Sequence, residues 1–343
     1  MAGAARPVAP QTIAVLHSAA VDGRRPRVAI LGTRFGDFEV EQSVMGDVEI
    51  VSGPGRSRQD VIEVAGNADV ILAGAAPRFD ADTIAELACR GIVRLGVGVD
   101  TIDVDAARRH GLWVSYVPTY GTEAVALHAV SLALAAIRRL PMADRNLRGG
   151  GWGFADLRPL HLPKVLTVGV LGFGRIGRRT AEMLAGVGFE DFVVCDPLAA
   201  VHDLPPSTRL VDLGELLDSS DVVTLHAPPA DRPLLGAEEL ARMRPGSVLV
   251  NTARGSLIDT AALVEALGAG RPGVAALDVF ETEPVDPAPF ETVADRVILT
   301  PHMSWYTEET ELELRRQGAA EARRILVGEP LLHPVVSPEK ERA

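Results

Sequence analysis

Cysteine is scarce in this sequence: Cys89 and Cys195 are the only two among 343 residues. They show neither the density of a disulfide framework nor the local pairing of a metal site, so no metal is expected and a reducing, cytoplasmic setting is. Positive charge is short as well. Lysine occurs only at Lys164 and Lys340, and 34 basic residues face 46 acidic ones, a net charge of −12 with no Lys/Arg-rich block. A nucleic-acid or anionic-membrane surface needs an excess of positive charge, so neither partner is expected, which still leaves room for a local basic pocket holding one anion. No run reaches the roughly 18 uninterrupted apolar residues of a spanning helix, because Ser, His, Arg and Gly break up each stretch. The start, residues 1–25, is rich in Ala, Arg and Pro without the order of a signal peptide and is expected to be a flexible tail.

What is present is a 47% hydrophobic share with 23% charged residues, the composition of a globular protein at a length that suits about two domains. From Arg27 short apolar runs alternate with helical stretches: RVAILG, VEIVSG, ADVILAG, GIVRLGVGVD and GLWVSYVP. This alternation predicts a parallel sheet covered by helices. Pro118 closes the last strand. Residues 123–139 then predict a long helix with Val125, Leu127, Val130, Leu132, Leu134 and Ile137 as its apolar side, crossing between domains or supporting a dimer. Residues 148–163, with three successive glycines and Pro159, predict an irregular arm. A second series starts at Val165 with VLTVGVLG, FVVCD, DVVTLHAP, GSVLVNTARG, GVAALDVF and RVILTPH. Residues 307–327 predict a charged amphipathic helix, and a partly loose tail follows from Gly328. The expected fold is α/β, with two doubly wound domains, Rossmann-like and flavodoxin-like, and an active-site cleft between them.

VLTVGVLG runs into Gly172-Phe173-Gly174-Arg175-Ile176-Gly177 and then a helical stretch, the setting a dinucleotide-binding turn requires. One glycine permits the tight turn, one admits a pyrophosphate to the backbone, and one lets helix and strand pack closely. The helix N-terminus offers its partial positive charge to the phosphates. A bare pattern of this kind also fits a Gly-rich turn with no ligand. Asp196 tips the balance, because it closes the next strand 19 residues past Gly177, near the spacing of about 20 at which an acidic residue meets the ribose hydroxyls. A carboxylate there repels the extra phosphate of NADP, so NAD is the expected cofactor. Residues 118–307 are then its Rossmann domain, and residues 26–117 with 308–335 the substrate-binding domain.

Ligands of an open α/β sheet collect beyond the carboxyl ends of its strands. In the second series GSVLV ends in Asn251-Thr252-Ala253-Arg254-Gly255, GVAALDVF runs to Glu281 and Glu283, and RVILT ends in Pro301-His302. Reducing a 2-oxo acid needs a cation for the carboxylate, a donor for the carbonyl and a proton for the developing alkoxide. Arg254 and a protonated His302 supply these, and Glu283 beside the imidazole would raise its pKa. Each residue alone has a plainer reading: Arg254 tying its own turn, His302 satisfied at a strand end, Glu283 solvated on a loop. Together, after three successive strands, they favour catalysis.

NTARG, LDVFETEP and TPH, in that order downstream of LGFGRIG, resemble the D-isomer-specific 2-hydroxyacid dehydrogenases over nearly the whole chain from Arg27. The resemblance implies catalytic Arg254, Glu283 and His302, NAD(H), a small 2-hydroxy or 2-oxo carboxylic acid as substrate, and a homodimer formed mainly through the nucleotide domain. It also implies cofactor contacts from Gly172, Phe173, Gly174, Arg175, Ile176, Gly177, Asp196, His226, Ala227, Pro228, Thr252, Ala253, Asp278 and His302. PHMSWYTEE with RLGVGVD is more similar to the branch containing the C-terminal-binding proteins. That likeness points to Arg94 for the substrate carboxylate, with Val97 and Gly98 beside it, and to Trp305 for the side-chain pocket. Arg94 serves an interdomain ion pair on the other reading, Trp305 packing, and His226 only its strand end. PADRPLLG after TLHAP, and Leu127 where relatives often carry a polar residue, depart from the family pattern. Two further readings stand beside the dehydrogenase: an NAD(H)-sensing binding protein, which the intact trio argues against, and a dehydrogenase of an inorganic or one-carbon anion. Glu283 and Trp305 disfavour formate, while phosphite stays open.

Overall fold

The computed structural model describes residues 24–33, 35–200 and 208–337, so all but the last two residues of the expected N-terminal tail lie outside it. The chain divides into two compact units, Met1–Tyr120 with Glu308–Ala343, and Gly121–Thr307. The first unit opens with β1 (Arg27–Leu31), α1 (Glu39–Met45), β2 (Glu49–Gly53), α2 (Arg58–Ala65), β3 (Val70–Ala73), α3 (Ala81–Ala85), β4 (Gly91–Arg94), α4 (Val104–Arg109) and β5 (Trp113–Tyr116). The second holds α5 (Thr122–Ile137), α6 (Leu140–Arg148), β6 (Thr167–Leu171), α7 (Arg175–Gly186), β7 (Asp191–Cys195), β8 (Thr208–Leu210), α8 (Leu213–Ser219), β9 (Val222–Leu225), α9 (Ala237–Arg242), β10 (Val248–Asn251), α10 (Thr260–Gly268), β11 (Val274–Leu277) and β12 (Val297–Leu299). The chain then returns to the first unit as α11 (Glu308–Val327) and β13 (Pro334–Val336).

The central strands read as unbroken apolar runs because helices cover both faces of a parallel sheet; β3, β9, β10 and β11 are buried along their whole length. Helix starts are marked by short polar side chains that accept an otherwise unpaired backbone N–H: Ser57, Asp80, Asp103, Asp212 and Asp259 cap α2, α3, α4, α8 and α10.

In the first unit the strand order is β2-β1-β3-β4-β5, all parallel, with β13 antiparallel at the edge beside β5. The tail expected to be partly loose from Gly328 is held to Ser337 by a buried carboxylate. Glu321 on α11 accepts from Ser115 Oγ on β5 at 2.5 Å and from Leu332 N at 3.0 Å, and β13 follows at once. A second buried charge on α11 docks it to α1: Arg315 donates from Nε and Nη2 to the two oxygens of Glu41 at 2.8 Å each, and stacks over the Phe35 ring. The helix expected to be simply charged on one side thus carries two of its charges inward.

The second unit has the order β8-β7-β6-β9-β10-β11-β12, parallel throughout. The direction in which strands are added reverses between β6 and β9, the switch point where such sheets bind ligands. α5 packs on α7 and on β10 and β11. Its buried side is largely alanine, Ala124, Ala126, Ala129, Ala133 and Ala136 with Val125, Val130 and Leu132, while Leu127 is 55% exposed. Small side chains allow close helix approach, so the stripe of larger residues overstated the packing face. Neither α6 nor β8 was expected from the sequence. The arm beyond α6 is irregular except for two short 3-10 turns, and it leaves Trp152 95% exposed. Among the described residues no single helix is long and apolar enough to cross a membrane; α5 and α6 together have the length and composition but bend by 55° at the break.

Candidate active site

The glycine turn follows β6. Gly172 has φ +90 and a Cβ there would stand 2.6 Å from the Ala227 backbone nitrogen, so only glycine fits. A Cβ on Gly177 would lie 2.2 Å from the Gly172 carbonyl oxygen, whereas Gly174 faces open space. Turn, packing and free approach are therefore divided among the three glycines. α7 begins at Arg175 without a side-chain cap, and a helix N-terminus of this kind attracts an anion through its partial positive charge. Arg175 is exposed, Ile176 half-buried, and the Phe173 ring faces the core with the Arg178 guanidinium over it. Backbone N–H groups of Phe173 and Leu198 donate to the two oxygens of Asp196 at 2.6 and 2.8 Å. Each oxygen keeps a further lone pair for a ribose hydroxyl.

His226 follows β9, with Ala227 half-buried and Pro228 exposed after it. Its Nε2 lies 2.9 Å from Thr224 Oγ1 and its backbone donates to the Leu171 carbonyl at 2.7 Å. Burial pushes the imidazole down to about 3, so the ring is neutral and supports its strand end beside the glycine turn. After β10, buried Asn251 organises the next loop, its Oδ1 accepting from Ala253 N at 3.0 Å and its Nδ2 donating to the Arg254 carbonyl at 2.8 Å. This is the local self-bonding that suits asparagine to turns. Thr252 is buried and its Oγ1 has no hydrogen-bond partner, an arrangement that is unfavourable unless a ligand supplies one. Open space at Gly174, the uncapped α7, Asp196 and the orphaned Thr252 hydroxyl together fit a dinucleotide.

The trio comes from the ends of three neighbouring strands, β10, β11 and β12. His302 Nδ1 and Glu283 Oε2 are 2.6 Å apart, and the Phe280 N–H donates to Glu283 Oε1 at 3.1 Å. Burial opposes ionisation of Glu283, but the hydrogen bond and charge of His302, the Phe280 N–H and the Arg254 charge outweigh it and hold the carboxyl below its usual range. Arg254 Nη1 also donates to the Ala253 carbonyl at 2.7 Å. With Nδ1 engaged, Nε2 is the nitrogen of His302 left for a substrate. His302 has φ +50, a left-handed backbone rare outside glycine and characteristic of functional sites.

Asp278, expected beside the cofactor, has its carboxylate fully buried and occupied within the protein: Oδ1 accepts from Thr300 Oγ1 at 2.6 Å and Met303 N at 3.0 Å, and Oδ2 from Ser304 N at 2.9 Å. A buried carboxylate must find protein donors, and it finds them in the turn that carries His302. Of the expected substrate contacts, Trp305 lies in the second unit, half-buried and edge-on to Tyr306 at 5.7 Å between ring centroids. Arg94, Val97 and Gly98 lie in the first. Arg94 ends β4 with its guanidinium donating to the Leu95 carbonyl and folded against Gly96, where a Cβ would stand 2.4 Å from Nη1; Val97 is exposed and Gly98 half-buried. Asn251, Thr300 and His128, which joins Thr300 from α5, were not singled out in the sequence. The signal for His128 was there, as a lone imidazole within an otherwise apolar helix.

This fold and site define a dinucleotide-binding α/β protein with an Arg/Glu/His group on the cofactor-binding edge of its sheet. Residues 130–304 match the D-isomer specific 2-hydroxyacid dehydrogenase, NAD binding domain. The chain belongs to that family, and NAD is the cofactor its second unit takes. Over 298 residues it is 34% identical to a D-3-phosphoglycerate dehydrogenase of Archaeoglobus fulgidus, covering 86% of this chain and 56% of that protein. It is also 34% identical to a glyoxylate reductase of Aeropyrum pernix, covering 86% and 91% respectively. A crystal structure of D-lactate dehydrogenase from Aquifex aeolicus, complexed with NAD and lactic acid, superimposes with a TM-score of 0.81 at 25% identity, over 91% of this chain and 99% of that one. The chain thus spans about half the length of the phosphoglycerate dehydrogenases it matches. These likenesses carry the family and do not reach the C-terminal-binding-protein branch.

Proposed function

We propose that this chain is an NAD-dependent D-2-hydroxyacid dehydrogenase interconverting a small 2-hydroxy acid and the matching 2-oxo acid. When bound, NAD(H) supplies or accepts the hydride at carbon 2. In the reducing direction His302, its Nδ1 held by Glu283, donates from Nε2 to the carbonyl oxygen as negative charge develops there. Glu283 stabilises the imidazolium before the transfer. Arg254 binds the carboxylate and polarises the carbonyl through charge-assisted hydrogen bonds. Trp305 is the wall beside the substrate side chain. The observation that carries this reading is the 2.6 Å contact between His302 and Glu283 on the sheet edge that bears the glycine turn. NADH oxidation against a panel of small 2-oxo acids, plain, branched and phosphorylated, tests it. Turnover of at least one is expected; tight NADH binding with no turnover of any would overturn it.

The same protein is proposed to be a cytoplasmic homodimer. Leu140, Leu147, Trp152, Phe154, Leu162 and Val165 are all exposed along α6 and the arm, and clustered exposed apolar side chains are a common mark of an association surface. Sedimentation is expected to give twice the chain mass, and the Trp152→Glu, Phe154→Asp double variant half of that; a parent that sediments as a monomer rejects the dimer. Two free thiols, Cys89 and Cys195, suit a reducing compartment, and cell fractionation checks the location.

A further inference from the structure

We propose that His128 is a positioning residue which, through the Thr300 hydroxyl and the buried Asp278 carboxylate, sets the turn carrying His302 and Trp305. This rests on the reading of His302 as the proton donor.

The turn from Thr300 to Trp305 has few means of holding its own shape. It lies beyond the last strand, Pro301 has no N–H to donate, and His302 sits at φ +50, a conformation that disfavours any residue with a Cβ. Besides the Thr300 N–H on the Leu277 carbonyl at 2.9 Å and the His302 N–H on the Thr300 carbonyl at 3.0 Å, its restraints gather chiefly on one residue. The Asp278 carbonyl accepts from His302 N at 2.8 Å, while its carboxylate takes the Thr300 hydroxyl and the Met303 and Ser304 N–H groups. The Thr300 proton points to Asp278 Oδ1 at 2.6 Å, so the Thr300 oxygen is left as an acceptor. His128 Nε2 stands 3.1 Å from that oxygen and 3.6 Å from Asp278 Oδ1, and it is therefore the nitrogen that carries the ring proton.

Support passes in this way from a rigid element to a strained one. Ala129 and Val130, the residues after His128 on α5, belong to the buried core of the sheet, so the ring is anchored by packing. Of the residues expected to meet the dinucleotide, only Asp278 and His302 belong to this turn and its support; the glycine turn Gly172–Gly177, Asp196 and Thr252 lie on other loops. Loosening the turn should therefore displace the proton donor and spare cofactor affinity.

The test uses the full chain with Thr300→Val, Thr300→Ser, His128→Leu, His128→Gln and the Thr300→Val/His128→Leu double, with His302→Ala as reference. Readouts are thermal melts, NADH titration by fluorescence, and steady-state kinetics in H2O and D2O with a 2-oxo acid the parent reduces. Thr300→Val and His128→Leu are each expected to lower kcat by about ten- to a hundredfold, the scale of a small misplacement of a reacting group. NADH affinity should stay near the parental value, substrate KM should rise by less than kcat falls because Trp305 moves with the turn, and the solvent isotope effect on kcat should rise as proton transfer becomes slower. Thr300→Ser should restore kcat, His128→Gln should fall between parent and His128→Leu, and the double variant should be no worse than Thr300→Val alone. Parental kcat in Thr300→Val or His128→Leu overturns the proposal. So does a loss confined to NADH affinity, or a double variant whose loss is the product of the two singles. Should Thr300→Val not melt cooperatively, the comparison of His128→Gln with Thr300→Ser decides in the same way. An active His302→Ala, or a parent that reduces no 2-oxo acid, strikes the underlying reading instead.

Discussion

Single atoms at this site have separable tasks. His302 touches the substrate oxygen on our reading, so His302→Ala should lower NADH-dependent turnover by about two orders of magnitude or more with a far smaller loss of NADH affinity; steady-state kinetics with a binding titration checks both. Thr252 is the opposite case. Its hydroxyl is buried without a hydrogen-bond partner, so Thr252→Val removes an unsatisfied group at equal volume. The melting temperature without cofactor should hold or rise, while NADH binding weakens by the worth of about one hydrogen bond, 0.5–1.5 kcal/mol, as calorimetric titration would read. Equal weakening of fold and binding would show the hydroxyl to be structural.

Between elements, the buried pair of Glu41 on α1 and Arg315 on α11 matters most in the first unit. The two side chains are 1% and 8% exposed. Removing Glu41 leaves the Arg315 charge with only the exposed Asp37 carboxylate, 2.9 Å away, as an ionic partner, so the cost approaches the roughly 3–5 kcal/mol of a broken buried pair. Glu41→Ala should therefore shift the urea midpoint strongly, and Glu41→Met with Arg315→Met should recover much of the loss, because the double variant buries no charge. A double variant as unstable as the single would show that packing, not charge, governs the contact. Helix α5 is similar in kind: its position comes from alanines against the sheet and α7, and it delivers His128 to Thr300.

For the whole molecule, acidity is the relevant variable. Burial holds His226 at about 3, against an ordinary value of 6.5. Between those limits the unfolded chain binds the proton and the folded chain does not, so this histidine makes stability rise with pH through that window and fall as acid is added. His226→Gln should flatten the dependence by about one proton per molecule, measured as unfolding free energy against pH. Glu283 acts in the same direction lower down, since its lowered pKa gives stability that is present above the ordinary carboxyl range and lost as pH falls through the folded value.

Much of this protein was legible in one dimension. Period and punctuation marked the central strands of both sheets, though not the edge strands β8 and β13, because a strand buried on both faces must be apolar throughout. The glycine turn, Asp196 and the Arg254, Glu283 and His302 motifs declared the dinucleotide site and its neighbours, because each depends on residue type at short range. Three-dimensional packing alone decided which charges face inward. Glu41, Arg315 and Glu321 look like ordinary charged residues in the sequence, and Asp278 was expected only as a cofactor contact; each is buried against hydrogen-bond partners on other elements or turns. Asp278 shows the reason most plainly: no local pattern says that a carboxylate after one strand will collect the hydroxyl and N–H groups of the turn after the next, since that pairing exists only once the strands lie side by side.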